Sequence, residues 1–176
     1  YAPLSERGSL AQLKRRSLYL AVFMGGVTTL AVDISAARLL VSIFGTSNIV
    51  WANIIGLILV YLTAGYFIGG RVADRWPTFT MFYTVLTWAA FFSGLIPLAA
   101  HPVLRLAAEA VQDFDAAVTV GSFVSVLVLF AVPVTLLGFT SPFALRLALS
   151  TVDDAGRTAG QMYAISTLGS IIGNFT

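Results

Sequence analysis

The chain has 176 residues, 58% of them hydrophobic and 10% charged, with a mean hydropathy of +0.90. A soluble domain has about 45–50% apolar and about 25% charged residues, and one this small keeps too much surface in water to hide so much apolar area. The composition therefore excludes a water-soluble globular domain, a disordered chain and a collagen-like repeat, and points to an integral membrane protein. The net charge of +2 and pI of about 9.2 do not point to nucleic acid, because the ten basic residues are spread along the chain and form no basic face. Without cysteine there is no disulfide framework, thiolate metal site, cysteine nucleophile or CxxC pair.

A membrane-spanning helix needs about 20 mostly apolar residues. After a basic segment, 1–16, the rest of the chain, 17–176, is expected to form one transmembrane helical domain. Its first span runs from Ser17 to Phe44 and is interrupted by Asp33 and Arg38. Gly45-Thr46-Ser47-Asn48 is a turn cluster, and the second span covers Ile49 to Ile68. Residues Gly65 to Pro77 read as the loop that follows, with a turn at Arg75-Trp76-Pro77, and the third span covers Phe79 to Ala99. Val103-Leu104, Leu106-Ala107-Ala108 and Val111 then alternate with Arg105, Glu109, Gln112 and Asp113 at helical spacing, which predicts a short interfacial helix. The fourth span covers Ala117 to Gly138, with Pro133 as a kink, and Gly160 to Thr176 starts a fifth. The expected fold is all-α: a polytopic bundle of five visible spans plus one interfacial helix. No short apolar core with a small-residue cleavage site precedes Asp33, so the first span is expected to stay in the mature protein. Tyr1 in place of Met, and a stop inside an apolar segment, predict a natural polypeptide that extends beyond both ends.

Cations set the orientation. With the N-terminus cytoplasmic, Arg7, Lys14, Arg15, Arg16, Arg71, Arg75, Arg146 and Arg157 all fall inside, whereas Arg105 faces the other side with Glu109, Asp113 and Asp115. The expected location is a plasma or inner membrane, crossed several times.

Asp33 and Arg38 are the ionisable residues closest to the membrane interior, where charge is costly unless it is paired or faces a polar cavity. Their spacing puts them about 140° apart on a helix, so each needs a partner on another helix. Asp33 has two readings, a proton or cation site and a hydrogen bond to a neighbouring helix; Arg38 has a snorkelling one as well. Small residues recur four apart at Gly65 and Gly69, Gly69 and Ala73, Gly156 and Gly160, and Gly169 and Gly173, which predicts close helix packing. His101 alone makes no metal site. No phosphate-binding loop, dinucleotide fingerprint, nucleophile elbow or metal-ligand cluster is present, and no cofactor is expected.

The stretch Gly70-x-x-x-Asp74-Arg75 resembles the cytoplasmic loop between helices two and three of the major facilitator superfamily, which implies a half-facilitator-like arrangement in which Asp74 and Arg75 link helix ends and gate movement. The plain alternative is a positive-inside turn with one surface ion pair. Three phrases, from Val32 to Pro77, Leu136 to Ala148 and Gly156 to Phe175, resemble in that order the membrane region of spermidine synthase-like proteins of the polyamine aminopropyltransferase family. Asp33, Arg38, Gly65, Gly69, Arg71, Asp74, Arg75, Arg146, Gly169 and Gly173 are among the residues that carry the likeness. Asp33 stands where the family has Glu, and Val41-Ser42 where a proline-containing turn is expected. The resemblance implies a polytopic module followed by a soluble aminopropyltransferase domain, and these residues contain no such domain. Three readings of function follow: an anchoring or assembly module without its own catalytic centre, an accessory transmembrane subunit of a photosynthetic or respiratory complex, or part of a polyamine or cation transporter. The expected partners are the lipid bilayer and other membrane proteins, not nucleic acid.

Overall fold

The computed structural model describes residues 4–110, 117–149 and 155–175. Six helices follow one another: α1 (Leu4–Phe44), α2 (Asn48–Arg75), α3 (Phe79–Ala110), α4 (Ala117–Gly138), α5 (Thr140–Ala148) and α6 (Ala155–Gly173). No strand occurs among the described residues. In hydrocarbon, an unpaired backbone amide has no water to bond, so helices that satisfy their own N–H and C=O groups are the form such a sequence takes. Polar residues are accommodated in the same way. The hydroxyls of Thr28 and Thr29 donate to the carbonyls of Met24 and Gly25, one turn back, at 2.9 and 2.8 Å.

The helix ends are written in local chemistry. Gly45 has φ +79°, a left-handed conformation that L side chains avoid, and its N–H bonds the Val41 carbonyl at 3.0 Å to close α1. Ser47 then caps α2, its side chain accepting from the Val50 N–H at 3.3 Å. Beyond α2, Pro77 prevents continuation, and the Thr78 hydroxyl accepts from the Met81 N–H at 3.3 Å to start α3.

Four stretches are long and apolar enough to cross a membrane: Arg15–Phe44, Asn48–Arg75, Phe79–Ala107 and Val118–Ala148. They identify an integral membrane protein with a helical bundle. The expected fifth span falls on α6, a 19-residue helix that is not one of the four. Two further expectations need correction. Gly65 to Arg75 is not a loop: α2 continues helically to Arg75, and only residues 76–78 form the turn. The amphipathic stretch after Ala99 is not a separate interfacial helix either, because α3 runs through Pro97 and Pro102 to Ala110. Proline interrupts single backbone bonds, and in an apolar helix packed on neighbours that loss is tolerated. Val111, Gln112 and Asp113 lie outside the described residues. Pro133 sits inside α4, and the helical path breaks for one residue at Phe139 before α5.

Packing joins α2 to α4 and α5, α1 to α6, and α3 to α4. One buried cluster gathers Ala36 and Leu40 of α1, Ile54 and Ile58 of α2, Leu104 of α3 and Phe130 of α4. A second, at the end that carries Arg15, Arg75 and Arg146, gathers Leu18, Val22, Ala73, Phe82, Phe143 and Met162. There the Phe82 and Phe143 rings lie 5.7 Å apart. Between apolar helices in lipid, such contacts hold by close dispersion rather than by expelling water.

Candidate functional site

Two tight seams organise the bundle. On α2, Gly65 and Gly69 meet the junction of α4 and α5: a Cβ on Gly65 would overlap the Thr135 carbonyl oxygen and come within 2.9 Å of the Gly138 Cα, and one on Gly69 would lie 2.8 Å from the Phe139 Cα. Ala73, one turn further, is buried on the same face. On α6, added Cβ atoms at Gly169 and Gly173 would overlap the carbonyls of Phe23 and Val27 on α1, and one at Gly26 would overlap the carbonyl of Ser166. The Ser170 hydroxyl donates to the Gly26 carbonyl at 3.2 Å across this seam. The four-residue spacings at Gly65, Gly69, Gly169 and Gly173 thus report packing. The pair Gly156 and Gly160 does not, since a Cβ at either position meets nothing within 4 Å.

Asp74 and Arg146 are brought together. The Arg146 Nε donates to the Asp74 Oδ1 at 3.1 Å and ties the end of α2 to α5, while both side chains remain open to their surroundings, at 46% and 74% exposed for Arg146 and Asp74. Arg71 and Arg75 do not join this pair. The Arg71 guanidinium sits over the Phe67 ring at 3.5 Å from its centroid, and that of Arg75 lies 5.0 Å from the Trp76 centroid. Arg75 also stands in the last turn of α2, where a cation opposes the negative end of the helix dipole. His101 is exposed on α3, and among the described residues no three metal-ligating side chains cluster.

Asp33 and Arg38 have a different setting. Both line a cavity of about 500 Å³ between α1 and α2, whose remaining walls are aliphatic except for Trp51. No hydrogen bond or ion pair joins the two. The Asp33 Oδ1 is buried and has no hydrogen-bond partner among the described residues. Tyr66 of α2 stands within electrostatic reach of both Asp33 and Tyr163 of α6. Arg38 is exposed and also borders a second cavity of about 620 Å³ between α1 and α3.

No family model, curated protein or solved structure matches this chain. Its function is therefore read from its own geometry.

Sequence reasoning missed three contacts. Asn53 donates through Nδ2 to the Thr119 carbonyl at 3.0 Å and to the Ser122 Oγ at 2.9 Å, which stitches α2 to α4. A lone amide inside an apolar run was the available signal, since such groups seek a partner across helices. Gly26 had the signal of the adjacent pair Gly25-Gly26 inside a span. The chain from Arg15 through the Tyr19 hydroxyl to the Gln161 Oε1, at 3.1 and 3.3 Å, had none.

Proposed function

We propose that this chain is a helical membrane module that anchors and assembles, of the kind found ahead of the soluble domain in spermidine synthase-like proteins, and that it carries out no aminopropyl transfer itself. One observation carries the reading: six of the ten residues named for the family likeness hold helix to helix. Gly65, Gly69, Gly169 and Gly173 make the seams, and Asp74 meets Arg146. None of these surrounds a reactive group. Intact mass of the gently purified native protein, with its companions identified in the same run, tests the assignment. A mass far above 18.7 kDa supports an anchor for an attached soluble domain. Aminopropyltransferase activity from this chain alone would sink it.

An accessory-subunit role is compatible with this reading and is favoured by the outward apolar face of α3, where Trp88, Phe91 and Leu98 are exposed. The polyamine-transporter reading has Asp33 in its favour, but the Arg38 guanidinium shares that cleft and opposes a polycation. The module is placed in a plasma or inner membrane with its N-terminus cytoplasmic, in keeping with the arginines that fall at one end. Cysteines introduced at Trp76 and Thr46 should then react with an impermeant maleimide from opposite sides of the membrane. Labelling of Trp76→Cys from outside intact cells would reverse the orientation.

A further inference from the structure

The cleft between α1 and α2 exists because each wall has its main partner elsewhere: α1 lies along α6 and α2 along α4, although only residues 45–47 separate the two helices in sequence. Its volume of about 500 Å³ falls in the range of about 300–1,000 Å³ found for small-molecule sites. Two polar groups of opposite character on α1 stand opposite a hydrocarbon wall formed by α2 residues such as Ile55, Ile58 and Leu62. Asp33 is the first: it lines the cleft, and its buried Oδ1 has no hydrogen-bond partner among the described residues. Arg38 is the second group, and among the described residues it has no hydrogen bond or ion pair.

These features narrow the ligand. A bare metal cation needs several oxygen ligands, and only one carboxylate lines the cleft. A polyamine would meet Arg38 as a like charge. A phospholipid headgroup belongs at the interface, whereas Asp33 lies eleven residues before the end of α1 at Phe44, about 16 Å down the helix axis. What fits is a neutral head able to lie within hydrocarbon, with a polar atom at each end and an apolar tail. The two residues are about 7.5 Å apart along the helix axis and about 140° apart around it, so they flank the cleft from its two rims and leave room between them for a ring with oxygens on opposite edges, each reached through a hydrogen bond of about 2.8 Å.

We propose that this cleft binds an isoprenoid quinone or quinol, with its ring oxygens held between Asp33 and Arg38 and its tail along the aliphatic wall of α2. Arg38 donates to one ring oxygen; at the other, the protonated Asp33 carboxyl donates to a quinone carbonyl, or its carboxylate accepts from a quinol hydroxyl. The proposal concerns binding alone and stands independently of the assembly role.

Trp51 at the cleft provides the probe. In the purified chain carrying Trp76→Phe and Trp88→Phe, Trp51 is the remaining indole, and decylubiquinone is titrated in detergent micelles while its fluorescence is followed. Saturable quenching near one equivalent is expected. Loss of a hydrogen bond to a charged group should weaken the affinity about tenfold or more in Asp33→Leu and in Arg38→Met, with Asp74→Asn unchanged. Photolabelling of the otherwise unaltered chain with an azidoquinone keeps the test independent of how the variants fold, and should mark peptides covering residues 33–62. Linear quenching that is equal in all variants, labels confined to other helices, or displacement of decylubiquinone by spermidine would each overturn the proposal. So would a Trp51 signal that follows protein concentration rather than quinone, which would put a second copy in the cleft.

Discussion

Replacing Gly169 by alanine should loosen the bundle, whereas the same change at Gly160 on the same helix should tighten it. The two positions lie about 180° apart around α6. At Gly160 a new Cβ meets nothing within 4 Å, so the substitution only removes backbone freedom from the unfolded chain and stabilises by roughly 0.5–1 kcal/mol. At Gly169 the Cβ overlaps the Phe23 carbonyl oxygen and lies 3.0 Å from its carbon and 3.2 Å from the Val27 nitrogen. These are backbone atoms, so no rotamer change gives relief and α6 must move away from α1. A gap of about 0.5–1 Å along the rest of the seam forfeits a quarter to a half of each dispersion contact there. It also stretches the bond from Ser170 to Gly26. Overpacking of this kind costs about 1–3 kcal/mol, so the two variants should differ by about 1.5–4 kcal/mol. Reversible unfolding in mixed micelles, followed by circular dichroism as the fraction of dodecyl sulfate rises, measures the difference. If Gly169→Ala proves as stable as Gly160→Ala, the α1–α6 seam is not where the structure puts it.

Asn53→Ala should cost about 0.6–1.7 kcal/mol, the span measured for hydrogen bonds between membrane helices. Thr63→Val, whose hydroxyl only meets the Leu59 carbonyl one turn back at 2.7 Å, should stay within about 0.5 kcal/mol in the same assay. A double-mutant cycle over Asp74→Asn and Arg146→Gln should return a coupling below about 1 kcal/mol that falls with added salt, as expected of an exposed ion pair. A coupling of several kcal/mol would instead mean that the pair holds a conformational state, as gating requires. Gly45→Ala should destabilise by about 1–2 kcal/mol through its positive φ alone, because no atom lies within 4 Å of the new methyl. Gly45→Asn should cost less, and equal stability of all three would contradict the left-handed end of α1.

The parts of the fold governed by short-range chemistry were legible in the residues. Apolar runs between charges located the long helices, Gly45 to Asn48 located the first turn, and the four-residue spacing of Gly65, Gly69, Gly169 and Gly173 located the seams. The errors came where composition was taken for conformation. Three glycines, two arginines and an aspartate from Gly65 to Arg75 look like loop chemistry, yet the backbone stays helical, with α2 leaning on α4 and α5 through Gly65 and Gly69. Alternation of apolar and charged residues after Val103 suggested a separate helix, although α3 runs on through Pro102, as a packed apolar helix can. Which seam meets which helix was not legible, since α1 with α6 and α2 with α4 are pairings across long sequence separations. Asp33 and Arg38 stood out as costly charges, but that they share a cleft depends on α1 and α2 turning to other partners. Gly156 and Gly160 show the limit of spacing as a signal, for the same pattern faces open space when no helix lies opposite.

The pairing of α1 with α6 also bears on how the chain comes to be built. Tyr19 meets Gln161, Gly26 meets Ser166 and Ser170, and Val27 meets Gly173. Residue numbers rise together on both sides, so the two helices run parallel. The contact from Ser170 to Gly26 spans 144 residues, which a ribosome adding about 5–20 residues per second takes on the order of ten to thirty seconds to synthesise. For that time the Gly26 face of α1 has no α6 to rest on, while α2, α3 and α4 find one another nearer in sequence. Biogenesis therefore has a late closing step, since α1 meets its mate only after the four helices between them have been made.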